Sequence, residues 1–273
     1  MVEGVYSFHR MAEECRADRP EAWAHSVRLY FPLVRHFLEH YFPGLDPSAL
    51  LAQVFRAARA DGGALWRTYG GSGEKDFLLH LRDFVFEQGR AARGARPETP
   101  LTPDDFWVVL TEFPPLQREM LLLSFRGYRP EDIKDIVKFA PASVQAGVER
   151  AREKLRARLG EAIGSDIATG NHDALFEGYE RQRGKDCLED KIYVRIADGQ
   201  ASWYDRQDYE RHLEGCAHCL NRFASYREAV YFFRTLPPTE AADVAPLLRA
   251  LELPQEGLAA GGKKPWWLRL LGG

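Results

Sequence analysis

The sequence predicts an all-α fold of three small helical domains, and three observations lead to this prediction. Apolar residues recur at steps of three and four along most of the chain, as amphipathic helices require. No alternation of apolar and polar residues is long enough to indicate a useful strand. The 273 residues, 45% of them hydrophobic, suffice to bury ordinary cores in two or three small domains.

The first predicted domain covers residues 19–93. An apolar stripe marks its opening helix, in which Pro32 is expected to cause a kink or a restart. Asp46-Pro47 begins another helix, and the glycine-rich run 70–73 separates a third, from Lys75 to about Arg90. The stripe of the opening helix consists of Val27, Tyr30, Phe31, Val34, Phe37, Leu38 and Tyr41.

The second predicted domain covers residues 101–163 and follows a linker at 93–100 that is rich in Arg and Pro. A short helix begins at Pro130, and a longer helix follows Phe139-Ala140-Pro141-Ala142. This order is typical of a helix-turn-helix, in which one helix face packs and the other is free to enter a major groove. Many helical pairs share the spacing of its inward residues, which are Val144, Val148, Ala151, Leu155 and Leu159.

Charge and targeting signals constrain where the protein acts. The net charge of −3 gives no global attraction to nucleic acid, so a DNA contact must come from a local basic face. The N-terminus lacks a signal-peptide pattern, and no run of eighteen apolar residues occurs, so we expect a cytoplasmic protein. Residues 237–273 are predicted to be a flexible tail with at most one short helix. For its Trp-rich end, we expect docking on the protein's own core or disorder rather than contact with a membrane.

A family resemblance rests on residues 113–159. This segment resembles the promoter-reading region four of extracytoplasmic-function sigma factors, which are bacterial members of the sigma-70 family. The resemblance implies a transcription-initiation regulator that binds the RNA polymerase core and promoter DNA. The matching residues are Phe113-Pro114, Gln117-Arg118-Glu119, Gly127, Val144, Arg150-Ala151-Arg152 and Leu155.

The first domain resembles sigma region two more faintly. Residues 29–34 and Ala52-Gln53-Val54-Phe55 resemble the opening and polymerase-binding helices of that region, and residues 77–90 resemble its promoter-melting helix. Two features depart from the family. The acidic residues that usually precede the Gln are absent, and Glu87-Gln88-Gly89-Arg90 replaces the usual Asn/Asp-Arg ending.

The predicted recognition helix also departs from the family, since Gln145, Ala146 and Gly147 stand where Lys, Ser and Arg are common. Because base reading usually needs Arg, Lys, Asn or Gln near the helix start, Ser143 and Gln145 are the candidate base readers. The candidate phosphate contacts are Arg150, Arg152 and Lys154. A solvated helix face with salt-bridge partners is the alternative interpretation of these basic residues.

A metal motif lies in the third predicted domain, residues 184–236. His212, Cys216 and Cys219 form an H-x3-C-x2-C pattern that lets one helical stretch present an imidazole and two thiolates, and Cys187 is the candidate fourth ligand. We expect a structural Zn²⁺ in a closed Cys3His site, with His218 as a bystander. A thioredoxin-like redox pair would need a βαβ setting, and the bland alternative is small buried thiols.

This third segment resembles the zinc-binding domain of anti-sigma factors, in which such helices block a sigma factor. The likeness rests on Cys187, residues 193–200 and residues 209–219. The expected fold is therefore two sigma-like domains plus a zinc-binding domain that contacts them within the same chain. We expect no enzyme and no small-molecule substrate. The competing hypothesis is a sigma-derived adaptor that binds proteins without recognising a promoter.

Overall fold

The computed structural model describes residues 6–71, 73–94, 102–160 and 173–255. Within these ranges the protein is entirely α-helical, which confirms the predicted fold class. The chain folds as two compact units, one of residues 1–95 with 232–273 and the other of residues 96–231. The thirteen described helices are α1 (Phe8–Arg16), α2 (Pro20–Tyr41), α3 (Pro47–Thr68), α4 (Glu74–Arg93), α5 (Pro103–Thr111), α6 (Pro115–Phe125), α7 (Pro130–Val137), α8 (Pro141–Leu159), α9 (Asp173–Arg181), α10 (Asp190–Ala197), α11 (Trp203–Gly215), α12 (Ala217–Thr235) and α13 (Ala241–Ala250).

The first unit packs α1 to α4 around an aromatic core. Trp66 and Phe77 stack with ring centroids 4.1 Å apart, and Tyr30 lies 5.2 Å from Phe77. The side-chain carboxylate of Asp46 accepts a hydrogen bond from the Ser48 amide (3.0 Å), and this N-cap explains why α3 begins there. Large buried aromatic side chains therefore supply much of the apolar burial that holds this unit together.

Two local features of this unit concern where its helices continue and where they break. Of the kink or restart expected at Pro32, the restart does not occur: α2 continues through this residue, and its neighbours Phe31 and Leu33 are buried in the core. Helix α3 is interrupted instead, because residues 60–63 leave helical geometry and 61–63 have positive φ. Asp61-Gly62-Gly63 supplies two glycines, which adopt the left-handed conformation without the steric penalty of a Cβ.

A helical glycine, Gly89 of α4, allows the Phe42 ring to lie directly against the backbone. An added Cβ would meet three atoms of that ring at 2.4–2.8 Å. We therefore expect Gly89→Ala to lower the free energy of unfolding of the first unit by about 1–3 kcal/mol through overpacking. Gly147→Ala in α8 is the matched control, since the nearest contact of its Cβ is ordinary at 3.9 Å.

The control should stabilise its own unit by about 0.5–1 kcal/mol, because alanine has less conformational freedom to lose than glycine. Urea unfolding followed by circular dichroism measures both changes. A stabilising Gly89→Ala would contradict the close approach of Phe42.

Glu74, at the start of α4, is expected to make the stability of the first unit depend on pH. Its carboxylate accepts a hydrogen bond from the Tyr30 hydroxyl (3.1 Å), but burial outweighs this and raises the pKa of Glu74 from 4.5 to about 7. The folded chain therefore holds a proton that the unfolded chain releases, so stability falls as pH rises from about 4.5 to about 7. Glu74→Gln should remove this slope in urea midpoints measured across pH. Glu87→Gln, an exposed site on the same helix, should leave the slope unchanged.

Part of the predicted tail is folded in the first unit. Helix α13 buries Val244, Leu247 and Leu248 against α2 and α3. Beyond the helix, the guanidinium of Arg59 donates to the Leu251 carbonyl (2.9 Å) and that of Arg28 to the Pro254 carbonyl (2.9 Å). Residues 256–273, including the Trp-rich end, lie outside the described residues, as does most of the predicted linker at 93–100.

The second unit combines the predicted helix-turn-helix with the cysteine-bearing helices. The predicted inward residues of α7 and α8 whose side chains the structure describes are buried: these are Ile133, Ile136, Val137, Val144, Val148, Ala151 and Leu155. The side chain of Leu159 lies outside the described residues. Lys138 adopts a left-handed conformation (φ 58°) at the end of α7, and Pro141 then begins α8. The segments 101–163 and 184–236, which the sequence predicts as separate domains, thus largely share one compact unit. No helix in the described ranges is both long enough and apolar enough to cross a membrane.

Candidate metal centre and helix-turn-helix surface

Four side chains from neighbouring segments of the second unit converge on one point. Cys187 comes from the segment before α10, His212 from the last turn of α11, Cys216 from the junction of α11 and α12, and Cys219 from the first turn of α12. Their candidate ligand atoms all lie within 4.8 Å of one another. This Cys3His group can bind a metal ion, and it contains the four residues that the sequence pattern predicts.

The local helix geometry explains the convergence. Ser202 caps α11 by accepting a hydrogen bond from the Asp205 amide (3.2 Å), and α11 ends at Gly215. Cys216 is extended (φ −125°, ψ 107°), and its carbonyl accepts from the Leu220 amide (3.0 Å) to begin α12. The change of direction at Cys216 therefore brings His212, near the end of one helix, next to Cys219, near the start of the next.

The distances within the group suit a tetrahedral ion. The Sγ atoms of Cys187 and Cys216 are 3.8 Å apart, and His212 Nε2 lies 3.1 Å from Cys219 Sγ. Metal–sulfur bonds of about 2.3 Å at tetrahedral angles place two sulfurs about 3.8 Å apart. Binding of a metal would move His212 Nε2 and Cys219 Sγ slightly further apart and would leave the distance between the Cys187 and Cys216 sulfurs unchanged.

Backbone amides point at two of the sulfurs. The Gly184 amide donates to Cys187 Sγ (3.2 Å), and the Leu188 amide donates to Cys219 Sγ (3.4 Å). Hydrogen bonding to Cys219 lowers the pKa of Cys216 below its usual value, while the same bond and burial raise the pKa of Cys219. The group thus favours thiolate at Cys216, and thiolate is the form that binds metal.

The remaining cysteine and the neighbouring histidine are separate from the group. Burial raises the pKa of Cys15, in the first unit, to about 12, so this thiol is inert. The His218 ring nitrogen Nδ1 lies 3.0 Å from the Tyr179 carbonyl, where the imidazole is buried. The expectation that His218 is a bystander agrees with this position.

The candidate DNA-contacting residues all lie on α8. Ser143 and Gln145 are exposed in its first turns, and the Gln145 side chain donates to Glu149 (3.1 Å). Arg150 is exposed and donates to the carbonyl of Ala146 (3.2 Å), whereas Arg152 is half-buried. Lys154 pairs with Glu112 at 2.6 Å, and Arg158 approaches the same carboxylate at 3.3 Å. Part of the basic stretch is therefore engaged in salt bridges within the unit.

A polar interlock joins α12 to the turn between α6 and α7. The guanidinium of Arg126 pairs with the Glu228 carboxylate at 2.8 Å, and both side chains are fully buried. The same guanidinium donates to the side chains of Asn221 and Ser225, each at 2.8 Å, and the Tyr128 hydroxyl donates to Glu228. We use "interlock" for these five residues. They fix the cysteine-bearing helix α12 to the helices that precede and open the helix-turn-helix.

Two more contacts of α6 extend this connection. Arg227 of α12 pairs with Glu119 (3.0 Å) and also donates to the Ile136 carbonyl of α7 (2.9 Å). Arg118 donates to the Phe113 carbonyl (2.7 Å) and to the Glu214 carbonyl near the end of α11. Residues that the sequence matched to a sigma-like motif, Arg118 and Glu119, thus contact the helices that carry the candidate metal ligands.

Sequence reasoning did not identify the interlock as a functional feature. Its charged members, Arg126 and Glu228, belong to residue types that usually lie on the protein surface. They are 102 positions apart in the chain. Only Arg126 and Tyr128 carried a usable signal, since they lie on either side of the Gly127 that the family resemblance had singled out. Comparison with protein-family models, with curated proteins and with solved structures finds no match to this chain.

Proposed function

We propose that this chain is a sigma-factor-like regulator of transcription initiation, which binds the RNA polymerase core and promoter DNA under the control of its own metal-binding segment. The observation that carries the proposal is the interlock, which joins the metal-bearing helix α12 to the helix-turn-helix through a buried ion pair. The first turns of α8, with Ser143 and Gln145, stay exposed. A contact with DNA is therefore compatible with the presence of the metal-bearing helices.

The folded tail segment supports control within the chain. Helix α13 lies on α2 and α3, and α3 carries the segment 52–55 that the sequence resemblance makes the candidate polymerase-binding helix. A partner of that helix would compete with α13. Because α13 is tethered, its effective concentration is high, so that even a weak contact would be substantial.

The ion we propose is Zn²⁺ in a structural role. Three thiolates and one imidazole are the donors that zinc prefers, and four protein ligands complete a tetrahedron without an open position for substrate. A structural ion would fix the relative position of α10, α11 and α12, and hence the surface that α12 presents to α6 and α7.

The adaptor hypothesis has an observation of its own. Lys154 and Arg158 both pair with Glu112, so these two charges are partly neutralised before any phosphate arrives. Arg150 and Arg152 remain the residues on which a promoter contact depends. A chain that binds protein partners but not promoter DNA would be indifferent to the charge at these two positions.

Polymerase-core binding and transcription by the full-length protein test the proposal. We expect Leu247→Asp with Leu248→Asp, which places charge in the buried face of α13, to raise core binding and transcript yield. Ala242→Asp, on the exposed face of the same helix, is the control and should change neither. Arg150→Glu with Arg152→Glu should lower promoter affinity and weaken its dependence on salt.

The outcomes separate the two hypotheses. Core binding together with loss of promoter affinity in the arginine variant supports the sigma-like regulator. Absence of core binding in the wild type and in the α13 variant would rule it out. If the arginine variant has the same promoter affinity as the wild type, and the protein binds other proteins, the adaptor hypothesis is favoured.

A further inference from the structure

A buried tyrosine lies beside the candidate metal centre. Tyr193 of α10 is fully buried, and its ring packs near Phe223 of α12 with centroids 6.0 Å apart. Its hydroxyl oxygen is shielded from solvent and has no hydrogen-bond partner of normal geometry. A buried hydroxyl in that state is unfavourable, so its position calls for an explanation.

The neighbour of this hydroxyl is a candidate metal ligand. The Tyr193 hydroxyl lies beside the Cys219 sulfur, and a phenol hydroxyl can donate a hydrogen bond. Cys219 already accepts one hydrogen bond, from the Leu188 amide at 3.4 Å. A thiolate has room for a second donor, and its negative charge makes it a better acceptor than the neutral thiol.

We propose that Tyr193 is a positioning residue of the metal centre, whose hydroxyl donates a hydrogen bond to the Cys219 thiolate when the metal is bound. Metal binding removes the thiol proton of Cys219 to solvent, and the sulfur then accepts from both the Leu188 amide and the Tyr193 hydroxyl. The inference rests on the metal binding proposed above and adds the residue that holds Cys219 in place. Donors in the outer shell orient ligands and tune affinity in this way.

Tyr193→Phe tests the inference because it removes the hydroxyl and keeps the ring. We expect it to bind Zn²⁺ about tenfold more weakly than the wild type in competition with a chromophoric chelator. With Co²⁺ as the probe, its thiolate-to-metal charge-transfer band should move to longer wavelength, since the sulfur loses a hydrogen bond. Tyr179→Phe is the matched control, because this buried tyrosine of the same unit donates instead to the Pro103 carbonyl (2.9 Å).

Three results are distinguishable. Weaker Zn²⁺ binding and a shifted Co²⁺ band in Tyr193→Phe, with Tyr179→Phe unchanged, support the role of Tyr193. A wild type that binds one metal ion, with both variants equal to it in affinity and spectrum, would overturn the role of Tyr193 and leave the metal centre intact. A wild type that binds neither ion would overturn the metal centre and the role of Tyr193 together.

Discussion

Replacing Glu228 with alanine is expected to lower the free energy of unfolding of the second unit by about 3–5 kcal/mol, because it leaves the guanidinium of Arg126 buried without its counter-charge. Both side chains are fully buried in the structure. Two other acceptors of the Arg126 guanidinium, the Asn221 and Ser225 side chains, are neutral and cannot replace the charge of Glu228. Urea unfolding followed by circular dichroism measures the change.

Glu210→Ala provides the control on the neighbouring helix α11. Glu210 pairs with Arg206 at 2.7 Å, but both side chains are more than half exposed. Such pairs contribute little, so we expect a change of less than about 1 kcal/mol. If Glu228→Ala lowered the free energy of unfolding no more than the control does, the contacts of the interlock would not be formed in solution.

A double variant distinguishes a lost interaction from a general disturbance of packing. Arg126→Met with Glu228→Leu replaces the buried pair by apolar side chains and should recover most of the stability that either single change loses. The coupling free energy in the double-mutant cycle should exceed about 1 kcal/mol. Additive losses would mean that the ion pair is not the source of the effect.

The local part of this architecture could be predicted from the sequence. Helical periodicity marked the α2 and α8 stripes because the core-facing side of an amphipathic helix repeats every three or four residues. The spacing of His212, Cys216 and Cys219 predicted the metal group for a similar reason, since these residues are neighbours along the chain. Cys187 was selected by residue type alone, and the structure brings its sulfur to the group.

The long-range polar contacts could not be predicted in this way. A periodicity argument assigns Arg126 and Glu228 to the surface, because charged residues are seldom fully buried unless they are paired. The pairing depends on how α12 packs on α6 and α7, which no local pattern encodes. Helix α13 was underestimated for a related reason: three buried apolar residues in a Pro- and Ala-rich stretch are a weak signal until α2 and α3 are present as partners.

Removing the metal should have an effect comparable to breaking the interlock. Ligand binding to the folded state contributes about 4 kcal/mol when free metal exceeds the dissociation constant a thousandfold, so a strong chelator should lower the free energy of unfolding of the second unit by at least that amount. The affected region is defined by the ligands. Residues 187–219 form the loop that the ion closes, and amide hydrogen exchange should accelerate there first.

The interlock predicts where this loss of protection stops. Arg126 and Glu228 lie outside the loop, so α6 and the middle of α12 should remain protected after chelation while residues 187–219 exchange freely. Cys216→Ser should reproduce the chelator effect without a chelator, whereas Cys15→Ala should keep the metal, since Cys15 lies in the first unit. Equal exchange in the presence and absence of chelator would contradict a structural metal. Simultaneous loss of protection in α6 would mean instead that the ion and the interlock stabilise one cooperative unit.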